Sequence, residues 1–139
     1  MAYWLFKTEP EAWSWEQQKA KGEKGEPWSG VRNYQAANNM KAMKRGEKGF
    51  FYHSGEERSI VGIVEVTAEY RPDPSDEKGR FGLVEVKAVA DVPKPVTISA
   101  VKADPKLKDM VLAKNSRLSV QPVTAEEWKY ICKLGGAKA

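Results

Sequence analysis

The chain has a single cysteine and a single histidine among its 139 residues. Cys132 alone forms no internal disulfide, which points to a reducing compartment. Its apolar helical context marks it as a small buried hydrophobe rather than a nucleophile. No His, Cys, Asp or Glu cluster has metal-ligand spacing, so a structural zinc or a His-rich catalytic metal is not expected. No apolar run approaches the ~20 residues that span a bilayer. No basic segment with a long apolar stretch precedes Tyr3, so neither a signal peptide nor a membrane anchor is expected. The expectation is a soluble, cytoplasmic protein. The P-loop, the dinucleotide-binding glycine turn and the G-x-S-x-G elbow are all absent. A nucleophilic triad would have to pair His53 with Ser54, Ser116 or Ser119. Ser54 follows His53 directly, and neighbours on one strand face opposite ways. No catalytic residue and no cofactor is therefore assigned.

Aromatic rings and positive charge are abundant instead. There are five Trp, five Tyr and four Phe, and the net charge is +4. Residues 32 to 53 carry Arg32, Lys41, Lys44, Arg45 and Lys48 against Glu47 alone. Residues 102 to 117 carry Lys102, Lys106, Lys108, Lys114 and Arg117 against Asp104 and Asp109. The stretch from 65 to 85 leans acidic. Two basic segments either meet in one positive face or form an ordinary solvated surface, depending on the fold.

Periodicity predicts an α+β domain over residues 1–139, with no repeat or linker. Residues 3 to 7 read as a buried strand. Ser14-x-x-Gln17 is a capping box opening a brief helix. Residues 19 to 27 are an exposed loop, and 33 to 45 a helix stopped by Gly46, with Met40 and Met43 on its core face. Strands follow over 49–53, 60–66 and 83–92, with a turn-rich loop over 71–80. Thr97 caps a short helix. Residues 115 to 121 read as a last strand, and Thr124-x-x-Glu127 opens a final helix that Gly135-Gly136 ends. Strands without regular helical crossovers favour a mixed or antiparallel sheet, curled into a small barrel with peripheral helices.

Three polar-aromatic segments carry recognisable chemistry: Trp28 to Tyr34, Phe51 to Ser54, and Ser116 to Pro122. Asn33 suits a helix N-cap, alone or together with a ligand contact. If 115–121 is a strand, Arg117, Ser119 and Gln121 point to one polar side. Rings and guanidinium planes stack on an extruded base, while hydroxyls and amides read its edge. Lys and Arg nearby hold phosphates, a role expected of Arg32, Lys41, Lys44 and Lys114. On this reading Trp28→Ala abolishes base binding and leaves the domain folded. A small-molecule or nucleotide-binding domain, and an enzyme acting on nucleic acid through His53 or Glu9, are the alternatives.

These segments, with Tyr3-Trp4-Leu5-Phe6-Lys7-Thr8-Glu9-Pro10 and Tyr70-x-Pro72-Asp73-Pro74, closely resemble the EVE domain family. The resemblance is collinear and spans essentially the whole chain. It implies a PUA-like fold, a curled β-barrel with surrounding helices related to PUA, ASCH and YTH domains. It also implies a non-enzymatic reader of modified bases in DNA or RNA, modified cytosine in DNA being favoured and an RNA-modification-linked binder the alternative. The pocket it implies is built by Trp28, Asn33, Tyr34, Tyr52, His53, Ser54, Arg117, Leu118 and Ser119, bordered by Lys7 and Thr8. Ala37 departs from the Arg that many members carry after Gln-Ala. The chain looks like the bacterial stand-alone form, expected as a monomer that binds no metal.

Overall fold

The computed structural model describes residues 2–55, 58–115 and 117–137. The elements are β1 (Tyr3–Thr8), α1 (Trp15–Ala20), a 3-10 turn (Gly22–Lys24), β2 (Glu26–Pro27), α2 (Tyr34–Ala42) and β3 (Lys48–His53). They continue with β4 (Ser59–Pro72), β5 (Gly82–Thr97), α3 (Ile98–Ala103), α4 (Val111–Lys114), β6 (Val120–Val123) and α5 (Ala125–Gly135). The six strands form one mixed sheet in the order β2-β5-β4-β3-β1-β6. β1 and β3 are parallel and the other neighbours antiparallel.

Both faces of this sheet are covered, so its inner strands are apolar at nearly every position. Trp4, Phe6, Phe51, Val64 and Val66 point to one core, which α1 and α2 help to close. Leu5, Phe50, Tyr52, Ile60 and Ile63 point to the other, under α3, α4 and α5. The period-two side-chain alternation of each strand sorts them. Trp28, just after β2, reaches Phe6 of β1 and Phe51 of β3, although β5 and β4 intervene in the strand order. Only a strongly curled sheet permits that contact. Register shifts along β4 and β5 mark bulges that increase local twist. β2 and β6 remain as two edges, so the curl does not close.

The helix caps act as expected, but α2 ends at Ala42 with Met43 as its extended C-cap, short of the predicted Arg45 and Gly46. Ser14 and Thr124 form reciprocal capping boxes with Gln17 and Glu127, and Asn33 and Thr97 cap α2 and α3. Met40 and Met43 are buried. Gly136, at φ 68°, ends α5 in the left-handed conformation.

Three further expectations need correction. The loop over 19–27 contains β2, a two-residue strand too short to show periodicity, which pairs with Val86 and Glu85 of β5. β4 and β5 run well beyond the predicted 60–66 and 83–92. The last strand begins at Val120, not Asn115. Asn115 Oδ1 instead accepts the amide of Arg117 in a local turn. Gln121 is fully buried, its Nε2 donating to the Leu118 carbonyl at 2.7 Å. Arg117, Ser119 and Gln121 therefore share no polar strand face. Ser116 lies outside the described residues.

Candidate nucleic-acid interface

A slot of about 400 Å³ opens at the end of β1. Lys7 and Thr8 of β1 form one side, Ala12 and Trp13 a second, the segment Glu26 to Arg32 a third, and Ser119 closes it. The Lys7 amide donates to the Ser119 carbonyl at 2.8 Å, which ties the turn before β6 to the rim.

The aromatic walls differ in kind. Trp28 is only 8% exposed and packs edge-on against Phe6 at 5.1 Å and Phe51 at 5.8 Å. It is a core residue that shows an edge to the slot. Trp28→Ala therefore costs stability as well as any base contact, because removing a buried Trp costs about 3–5 kcal/mol. Trp13 is half-buried, and its indole donates to Gln18 Oε1 at 2.9 Å. Gln18 is fully buried and donates in turn to the Val86 carbonyl at 3.2 Å. The Trp13 ring is thus oriented from β5. Sequence reasoning misses Trp13. Its one signal is its place immediately before a capping serine, where an apolar residue often packs on the helix.

Asp73 holds the third side. Its Oδ2 accepts the Gly30 amide at 2.9 Å and faces Arg32 at 3.5 Å. Its Oδ1 accepts the amide and hydroxyl of Ser75 at 2.8 and 2.6 Å. Burial works against the charged carboxylate, but the Ser75, Gly30 and Arg32 hydrogen bonds outweigh it and hold the group at about 2. Burial also lowers Lys7 below the usual lysine range. Glu26, a lining carboxylate, pairs with Lys21 at 3.5 Å.

Of the residues expected in the pocket, Trp28, Ser119, Lys7 and Thr8 line this slot. Tyr52 and Ser54 line a different cavity, to which Lys7 also belongs. His53 is buried, and its Nε2 accepts the Trp15 amide at 2.9 Å. Leu118 belongs to the Trp28 core. Asn33 spends its Oδ1 on the Ala36 amide. Tyr34 is 61% exposed and stands 4.9 Å from Phe81, outside the lining. Arg117 is exposed on its turn, also outside the lining. Glu9, too, is exposed and off the lining.

Among the cations expected to meet phosphate, Arg32 lies in the slot wall. Lys41 sits 5.5 Å from the Tyr70 ring, about 12 Å along α2 from Asn33. Lys44 is exposed just beyond α2, and Lys114 lies 3.4 Å from Asp109. Ala37 is buried on the inner face of α2. Among the described residues no group of three His, Cys, Asp or Glu is placed to hold a metal. No helix there is long and apolar enough to cross a membrane.

The geometry matches known proteins along its whole length. Protein Atu2648 of Agrobacterium tumefaciens is 57% identical, with a TM-score of 0.95 over 99% of this chain and 94% of that one. Human thymocyte nuclear protein 1 is 32% identical over 165 residues, spanning 96% of this chain and 73% of that protein. Human THYN1 protein, solved in complex with 5-methylcytosine-containing DNA, superposes with a TM-score of 0.90 at 33% identity over all of both chains. The YTH domain of Zygosaccharomyces rouxii MRB1 shares the fold at a TM-score of 0.57 and 18% identity, covering 99% of this chain and 89% of that one. The architecture is the α+β, PUA-like curled sheet. A model of the EVE domain matches residues 2–134, and the chain belongs to the EVE domain family.

Proposed function

We propose that this protein is a non-enzymatic reader that binds nucleic acid and holds one extruded, modified base in the Trp13/Trp28 slot. The observation that carries the proposal is the slot itself. Two indoles, two cations and three hydroxyl side chains from separate stretches of chain meet around about 400 Å³, within the range of small-ligand sites. A relative of 33% identity and the same fold was solved with DNA containing 5-methylcytosine.

The lining favours cytosine. Glu26 is an acceptor-only group, and a carboxylate suits the exocyclic amine of cytosine. Lys7, Thr8, Ser29 and Ser119 can donate to its ring nitrogen and carbonyl. Stacking contributes about 1–3 kcal/mol per base, which offsets the few kcal/mol of extrusion. Burying one methyl adds about 0.8 kcal/mol, or about fourfold in affinity, so discrimination of a single methyl is modest. Binding without catalysis is supported by His53, whose Nε2 is engaged by the Trp15 amide in the core rather than turned to the slot.

The test is a binding panel of short single- and double-stranded oligonucleotides bearing cytosine or 5-substituted cytosines, at fixed salt. Wild type is expected to prefer a modified cytosine severalfold, and Trp13→Ala to lose that preference. Equal affinity for every base in wild type would overturn the reading. Mononucleotides bound as tightly as oligonucleotides would favour a small-molecule site instead.

A further inference from the structure

Lys7 separates two cavities. Beyond it, on the other face of the sheet, lies a second pocket of about 360 Å³. Its polar lining is Lys7, Tyr52, Ser54, Arg58 and Lys102, and no carboxylate lines it among the described residues. Lys7 is the one lining residue that it shares with the Trp13/Trp28 slot.

The charges are held in place. Arg58 occupies the left-handed region at φ 41°, rare for a side chain of this size. Its carbonyl accepts the Ile98 amide at 2.8 Å, and its Nε donates to the Gly55 carbonyl at 2.8 Å. These two bonds fix the backbone and one edge of the guanidinium. Among the described residues Arg58 makes no ion pair. Lys102, on the last turn of α3, makes none there either. The Lys7 ammonium stands 5.6 Å from the Tyr52 ring. Tyr52 is 3% exposed, and burial raises its phenol above the usual range against the opposing pull of Arg58. It therefore stays a neutral donor at physiological pH.

Three cations, a phenol and a hydroxyl surround a concave space. That is the chemistry of a phosphate site. Ile98 and Leu112 complete the lining with apolar surface, and the volume exceeds what a bare phosphate fills. We infer that this pocket binds a sugar-phosphate, with Arg58 and Lys102 on the phosphoryl oxygens and Tyr52 and Ser54 as further donors. In a reader of extruded bases it would seat the phosphate flanking the extruded nucleotide, an extension that rests on the function proposed above. The phosphate site itself does not.

The probe is 2-deoxyribose 5-phosphate, which carries no base. Amide chemical shifts are followed during titration of the wild-type protein, an Arg58→Gln/Lys102→Gln variant and Trp13→Ala. Saturable shifts at Tyr52, Ser54 and Lys102 are expected in wild type. Affinity should fall at least about tenfold in the double variant, which lacks two charge-assisted hydrogen bonds, and remain unchanged in Trp13→Ala. Free deoxyribose and inorganic phosphate, titrated in parallel, separate the two halves of the ligand. The sugar alone should not bind, and inorganic phosphate should bind more weakly than the ester. No saturable shift with the sugar-phosphate, or equal affinity in wild type and the double variant, removes the site. Because the probe has no base, that failure is distinct from failure of the Trp13/Trp28 slot. A 5′-phosphorylated oligonucleotide compared with its unphosphorylated form tells a terminal phosphate from an internal one. A gain confined to the phosphorylated form assigns the pocket to strand ends and overturns the flanking-phosphate role.

Discussion

The amide of Gly30 donates to Asp73 Oδ2 over 2.9 Å, joining two segments 43 residues apart. Gly30 is in the left-handed region at φ 81°, a conformation that favours glycine. The wall that carries Trp28 and Arg32 is held from outside the slot, by a residue that does not line it.

Asp73 makes that wall sensitive to acid. Its folded-state value of about 2 lies below the ordinary 3.8, so its contribution is complete above about pH 4 and is lost as pH falls toward 2. The difference corresponds to about 2 kcal/mol. Asp73→Asn should lose about that much stability at pH 7 and show a flatter decline between pH 4 and 2. Denaturant unfolding across this range checks it. An unaltered acid limb in the variant would show that another carboxylate is responsible.

Trp28 should behave as a core residue first. Trp28→Ala is expected to lose about 3–5 kcal/mol, whereas Trp13→Ala, at a half-buried site, should lose far less. Thermal or chemical denaturation of the two variants compares them directly. Binding is then attributed to the slot through Trp13, since its loss is separable from unfolding.

Glu26 should set preference among pyrimidines. Glu26→Ala removes the acceptor proposed for the cytosine amine, a hydrogen bond worth about 1–3 kcal/mol in discrimination. The ratio of affinities for modified cytosine over thymine at the same position should fall about tenfold or more. A ratio that stays constant would mean that the amine is read elsewhere.

Lys41, Lys44 and Lys114 should supply charge without reading sequence. Changing each to Gln is expected to weaken binding across all oligonucleotides. It should also reduce the slope of log affinity against log salt by about 0.9 for each phosphate no longer neutralised on duplex DNA. Base preference should hold. A shift in preference on neutralising Lys41 would place that residue at the base rather than the backbone.

Local elements and family membership are legible in the order of residues, because their causes are local. The capping boxes at Ser14 and Thr124 and the alternation over 83–92 in β5 require only neighbours in the chain, as does the cap at Asn33. The motifs from Tyr3 to Pro122 mark the EVE resemblance in the same way. Which of those motifs share a cavity depends on packing between distant segments. Curling brings Trp28 of one edge against Phe6 and Phe51, buries it, and leaves Trp13 as the second wall. The sheet then divides what reads as one site in the sequence. Lys7 and Thr8 are adjacent, yet Thr8 faces the Trp28 side and the Lys7 ammonium reaches Tyr52 on the other. A strand's alternation assigns successive residues to opposite faces, but only the packed sheet reveals what each face holds.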